Sequence, residues 1–68
     1  MKLSARNVIK GSVTKITPGA VNTEVHLMIA PGIEIVSIIS KESAEHLGLK
    51  TGSEAYAVIK ASSVILGA

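Results

Sequence analysis

Cysteine is absent from the 68 residues, so disulfides and thiolate metal sites are excluded together. The two histidines, His26 and His46, are too few to build a zinc site without carboxylates, and no metal ion bound directly by side chains is expected. Aspartate is also missing, which rules out an aspartate-oriented catalytic triad, and no serine has the spacing of a nucleophile elbow. The glycines are scattered through turns and never cluster as a phosphate-cradling loop. The chain therefore reads as a binding protein and not as an enzyme.

Phenylalanine and tryptophan are missing too, and Tyr56 is the only tyrosine. Single-stranded nucleic acids are held by aromatic stacking platforms in a basic groove, and this chain has almost nothing to stack on. Its formal charge of +2, seven Lys and Arg against five Glu, suits small anions but is weak for a general nucleic-acid binder. No apolar run approaches the roughly 20 residues of a membrane-spanning helix. Charge at Lys2 and Arg6 interrupts the N-terminus too early for a secretory signal, so a cytoplasmic location is expected.

What remains is aliphatic. Hydrophobic residues make up 47% of the chain, nearly all Val, Ile, Leu and Ala. A chain this short buries only about 60% of the surface that its unfolded form exposes. Domains of this size usually need a disulfide, a metal or association to be stable. With the first two gone, association is the expected source of stability, and a homo-oligomer is predicted.

Two Pro-Gly turns punctuate the first half, Thr17-Pro18-Gly19-Ala20 and Ala30-Pro31-Gly32-Ile33. Proline presets φ at the first central position, and glycine supplies a positive φ where the second requires it. Between them Val21, Thr23, Val25, Leu27 and Ile29 alternate with Asn22, Glu24, His26, Met28 and Ala30, the period-two pattern of a strand with one dry face. Ala5 to Thr17 is a preceding strand with a bulge or bend expected around Gly11. Ile33 to Ser40 is a third strand, apolar enough to be buried on both faces. Ser40 to Gly48 reads as a short helix, capped by Ser40 and ended by Gly48. A turn over Lys50-Thr51-Gly52-Ser53 leads to a fourth strand, Glu54 to Ser62, and a last apolar strand at Ser63 to Leu66. The predicted fold is all-β, a five-stranded OB-fold barrel with one short helix between strands 3 and 4, in a single domain over residues 1–68.

The candidate chemistry is a set of hydrogen-bond donors. Ser40 and Ser43 open the helix, where free N–H groups and a partial positive charge favour an anion. Lys60 lies on the Tyr56/Val58 face of an apolar strand, and Arg6 follows Ser4 at the start of the first. Two cations could hold a tetrahedral dianion through charge-assisted hydrogen bonds. Each residue also has a plainer role: Ser40 and Ser43 as helix caps, Lys60 snorkelling to solvent, Arg6, His26 and His46 as solvated surface.

The order of residues resembles the molbindin (Mop) domain. The likeness is carried by Ser4-Ala5-Arg6-Asn7 with Lys10-Gly11, then by Gly19-Ala20-Val21-Asn22-Thr23-Glu24-Val25. It continues through Ser37-Ile38-Ile39-Ser40, Ser43, Leu47-Gly48-Leu49, Gly52 and Val58-Ile59-Lys60-Ala61-Ser62. The resemblance covers nearly the whole chain at the length of a free-standing, single-copy molbindin. It implies OB-fold subunits assembled as a hexamer, a trimer of dimers, that binds molybdate or tungstate between subunits for storage and homeostasis. By position, Ser4, Ala5 and Arg6 would come from one subunit and Ser40, Ser43, Lys60 and Ala61 from its neighbour, Ala5 and Ala61 through backbone N–H groups. A second class of site near the symmetry axes is also implied, for which Gly19, Ala20, Val21, Asn22 and Thr23 are the candidates.

Arg and Lys supply donors and no acceptor, which suits a fully deprotonated oxyanion. Monohydrogen phosphate carries a proton that neither cation can accept, so it is expected to bind less well. Sulfate would have to be rejected by size, and molybdate and tungstate would hardly be distinguished. The competing readings are an OB-fold structural or regulatory oligomerisation module with no oxyanion function, and a weak nucleic-acid binder.

Overall fold

The long first strand organises the molecule. The computed structural model describes residues 4–68, with β1 over Asn7–Pro18, β2 over Asn22–Ala30, β3 over Ile33–Ser40, the helix α1 over Lys41–Leu47 and β4 over Glu54–Ile59. These strands form one antiparallel sheet in the order β3-β2-β1-β4. β1 changes partner along its length. Residues 7–12 pair with β4 and residues 12–18 with β2, and Ser12 stands opposite both Glu54 and Met28.

That change of partner requires a bent strand, and two local features supply the bend. At Gly11 a β-carbon would lie 2.6 Å from the Met28 carbonyl oxygen and 2.8 Å from Leu27 Cγ, so β2 crosses too closely for any side chain. Just beyond, the register with β2 slips between Val13 and Lys15, leaving Thr14 as the extra residue of a bulge. The expected irregularity thus divides into a close approach at Gly11 and a bulge at Thr14. The turn before β4 clamps the same region, with Val13 N donating to Ser53 O at 2.9 Å and Gly52 N to Val13 O at 2.7 Å.

The core lies on the concave face of this curved sheet. Val13, Val25 and Leu27 are buried, with Ile16, Ile29, Ile39, Leu49, Ala55 and Ala57 packed around them. Full burial of three aliphatic side chains contributes about 1.5–3 kcal/mol each, a slender core for a whole domain. α1 forms as its caps dictate. Ser40 is extended and its Oγ accepts from Ser43 N, while Gly48 ends the helix at φ 64 in the left-handed region that glycine favours.

The Pro31-Gly32 turn follows its prediction, with Gly32 at φ 75. The earlier turn departs from it. Pro18 still belongs to β1, and Gly19 has no positive φ. Glycine is needed there for room, since Gly19 N donates to Asn22 O at 2.8 Å and a β-carbon would sit 2.6 Å from that oxygen.

β3 and the C-terminus also differ from expectation. β3 is half-buried on one face only, and Val36 and Ile38 on the other are exposed, because β3 is an edge strand with nothing laid across its outer side. β4 ends at Ile59, and Ala61–Ser63 form a 3₁₀ turn, not the start of a fifth strand. Beyond it Ile65 is 93% and Leu66 89% exposed. A strand needs a neighbour to hydrogen-bond, and among the described residues this segment has none. Between the free edges β3 and β4 lies an open apolar groove of about 870 Å³, floored by Val25 and Leu27 and walled by Ile35, Ile39, Ala57 and Ile59.

Candidate functional site

The ladder between β1 and β4 runs from Ser12↔Glu54 to Asn7↔Ile59. Arg6 and Lys60 are the residues adjoining that last pair in the chain, which places both at the same end of the sheet with Ser4, Ala5 and Ala61. The last rung is reinforced by the Asn7 side chain, whose Nδ2 donates to Ile59 O at 3.2 Å. Arg6 and Lys60 are both exposed, and neither forms an ion pair among the described residues. Two unpaired guanidinium and ammonium groups at one sheet corner make a local excess of positive charge.

Ser40 and Ser43 are elsewhere. Ser40 pairs with Asn22 at the far end of the sheet, where β3 runs into α1, and Lys41 N donates to Val21 O at 2.9 Å. β1 has twelve residues, and at roughly 3.3 Å per residue its two ends lie far beyond the reach of one tetrahedral ion. Within one chain, Lys60 therefore belongs with Ser4, Ala5 and Arg6, not with Ser40 and Ser43 as the grouping by resemblance has it. The Gly19–Asn22 turn joins the serine end instead.

The serine pair has a defined polarity. Ser43 N donates to Ser40 Oγ at 3.0 Å, and Ser40 Oγ–H donates to Ser43 Oγ at 2.7 Å. This chain of bonds consumes the Ser40 proton and leaves the Ser43 hydroxyl proton free to donate outward. The backbone donors expected at the helix start are partly used, Lys41 N on Val21 and Ser43 N on Ser40. Glu42 also stands in the first turn. The hydroxyls, more than the helix end, are what this corner offers an anion.

In the Gly19–Thr23 segment, Gly19, Ala20, Val21 and Asn22 are exposed, but Thr23 is 2% exposed and its side chain faces the core. Thr23 can serve a ligand only through its backbone. Sequence reasoning missed Asn7, whose amide locks the Arg6/Lys60 corner. It also missed a cluster on the outer face, where His26 lies between Glu24 and Glu34. The i, i+2 spacing of Glu24 and His26 on a wet strand face, with Glu34 across a hairpin turn, was its available signal. Among the described residues, no group of His and Glu is arranged to hold a metal ion, and no helix is long and apolar enough to cross a membrane.

Residues 3–66 match the TOBE domain family. A probable molybdenum-pterin-binding protein of Haemophilus influenzae is 48% identical over 67 residues, covering 98% of this chain and 97% of its own. The chain belongs to the molbindin (Mop) family. Its fold agrees with MopII from Clostridium pasteurianum at a TM-score of 0.92, with 48% identity over 98% of this chain and all of that one (100%). It also agrees with the cytoplasmic molybdate-binding protein ModG, in a crystal form with molybdate bound, at a TM-score of 0.93 and 55% identity. That match covers 98% of this molbindin and 48% of the ModG chain. The all-β architecture with a single short helix is thus that of its relatives.

Proposed function

We propose that this molbindin binds molybdate, tungstate or both at sites shared between subunits of a homo-oligomer, and that it stores the oxyanion in the cytoplasm. The observation that carries the reading is the separation of its donors into two exposed half-sites. Arg6 and Lys60 stand at one end of β1, and the Ser40/Ser43 pair lies near the other. Each half alone leaves an anion facing water. Brought together from two subunits, they surround it with cationic and hydroxyl donors. A relative's name and the molybdate-bound ModG crystal supply the identity of the anion.

Assembly has its own support in the small core, the open groove and the exposed Ile65 and Leu66. A hexamer built as a trimer of dimers, with each OB-like barrel completed to five strands, is the arrangement proposed. Binding is passive, with no bond made or broken. Because each site needs two subunits, anion stabilises the oligomer by mass action, about 2.7 kcal/mol per site at a hundredfold excess over Kd. The apolar surfaces also favour a second reading, in which the protein is an oligomerisation module with no oxyanion role.

Native mass spectrometry with molybdate, tungstate, sulfate or phosphate added in turn separates the two. Uptake of several molybdate or tungstate ions by a hexamer, with little sulfate or phosphate, is the expected result. A hexamer indifferent to all four ions leaves only the oligomerisation module, and a monomer removes the shared site altogether.

A further inference from the structure

Away from the proposed oxyanion donors, the outer face of the sheet holds His26 between two carboxylates. Its Nε2 lies 2.8 Å from Glu24 Oε2, two residues back on β2, and its Nδ1 lies 3.2 Å from Glu34 Oε1 on β3. From β1, the hydroxyl of the bulged Thr14 donates to the other Glu34 oxygen at 2.7 Å and lies 3.3 Å from His26 O. Lys15, the ladder partner of His26, is the remaining charged group facing the cluster, from β1. Alternation from the buried Val13 places Thr14 on this face, and the bulge brings Lys15 to it as well. Side chains of three neighbouring strands are therefore linked through His26 and Glu34.

The protonation state follows from the donors and acceptors. An ionised carboxylate only accepts hydrogen bonds, and a neutral imidazole has one N–H and one lone pair. Neutral His26 can satisfy one glutamate and must turn its lone pair toward the other. Only the imidazolium donates to both. We propose that His26 is a proton-dependent clasp that ties the edge strand β3 to β2 and β1. Charged, it bridges Glu24 and Glu34. On losing its proton it keeps the shorter contact to Glu24 on its own strand and releases Glu34, so the first half of β3 is held by the backbone ladder and the Thr14 hydroxyl alone.

The titration directions agree with this geometry. Hydrogen bonds donated to Glu24 first, then to Glu34, hold the His26 imidazole above its ordinary value. A folded pKa above the unfolded one adds stability that is complete below the unfolded value and disappears as pH rises through the folded one. Glu34 is held below the ordinary glutamate range by the Thr14 hydroxyl first and His26 second, so its contribution is present above that range and lost in acid. The clasp is closed between these limits and opens first on the alkaline side. β3 is the element it frees, and β3 runs directly into Ser40.

Imidazole NMR across the range in which histidine changes charge, extended to alkaline pH, tests the proposal, with protection factors for the Ile35–Ser37 amides measured on either side of the transition. His26 is expected to titrate above about 6.5 with both ring nitrogens protonated below its midpoint. β3 protection should fall several-fold as it deprotonates, while amides of the β1–β4 ladder keep theirs. Glu34→Gln should lower the midpoint, and His26→Gln should leave β3 protection independent of pH. A midpoint at or below about 6.5 that ignores Glu34→Gln overturns the clasp, as does β3 protection equal on both sides. Should Glu34→Gln fold poorly, Thr14→Val removes the hydroxyl that orients Glu34 and gives the same test.

Discussion

The side-chain amide of Asn7 donates to the backbone carbonyl of Ile59 at 3.2 Å at the last rung of the ladder, just before which stands Arg6 and just after which stands Lys60. This bond joins residues 52 positions apart and fixes the corner from which both cations project. Removing either cation should therefore weaken oxyanion binding without unfolding the sheet. Arg6→Ala and Lys60→Ala are each expected to cost about 1.5–3 kcal/mol of affinity per site, on the order of ten- to a hundredfold in Kd. Asn7→Ala should cost less, by loosening the corner. Isothermal titration with molybdate measures all three, and unchanged affinity in both cation variants would show that the anion sits elsewhere.

Ser40 serves two readings that one substitution can separate. As a helix cap it is worth about 1 kcal/mol, and aspartate caps as well as serine does. As an anion ligand it supports the outward-facing Ser43 hydroxyl, a role that an added negative charge would destroy. Ser40→Asp should keep the melting temperature near wild type and lose most oxyanion affinity. Equal affinity in the variant would make Ser40 a cap and nothing more.

Gly11 bears on the fold alone. Its missing side chain is what lets β1 pass within contact of Met28 O and Leu27 as it changes partners. The obstructing oxygen belongs to backbone and cannot swing aside. Gly11→Ala should therefore destabilise by about 1–3 kcal/mol, the usual cost of overpacking. Gly67→Ala, where a β-carbon meets open space, serves as the control. Thermal unfolding of the two variants decides it, and equal melting temperatures would mean that the strands separate at Gly11 without penalty.

What could be read from the sequence was local. The alternation of Thr23 to Met28, the Ser40 and Gly48 caps and the Pro31-Gly32 turn each depend on residues within a few positions, and each appears as expected in kind, whereas Val21, read as part of the dry face, precedes β2 and is exposed. The resemblance pointed to Arg6, Ser40 and Lys60, but the sheet places Lys60 at the Arg6 end and Ser40 at the other, because strand pairing is set by packing and not by local pattern. The strand expected at Ser63 to Leu66 is apolar in the right way, yet a strand exists only where a neighbour accepts its hydrogen bonds. The alternation of Ile33 to Ser40 was hidden because both faces are apolar. An outer face with Val36 and Ile38 looks like core, yet among the described residues nothing covers it.

The exposed tail leads to a prediction about assembly. Ile65 and Leu66 expose apolar surface that contributes nothing to the isolated subunit. If that surface is covered on association, Ile65→Lys should shift the population toward smaller species in native mass spectrometry while the subunit's circular dichroism stays the same. Persistence of the wild-type oligomer would exclude the tail from the contact.

Thr14 offers the acid counterpart of the His26 experiment. Its hydroxyl is the leading reason that Glu34 ionises below the ordinary glutamate range, with His26 second. A depressed folded pKa adds stability that is complete above the ordinary value and is lost as pH falls through the lowered one. Thr14→Val keeps the shape and removes the donor, so the Glu34 midpoint should move up and the loss of stability in acid should begin at higher pH. The His26 contact remains, so the midpoint should stay below the ordinary glutamate value. Carboxyl NMR titration of the two proteins reads the shift directly. A Glu34 midpoint identical in wild type and Thr14→Val would mean that the 2.7 Å hydroxyl contact does not persist in solution, and that His26 and Lys15 hold Glu34 down without it.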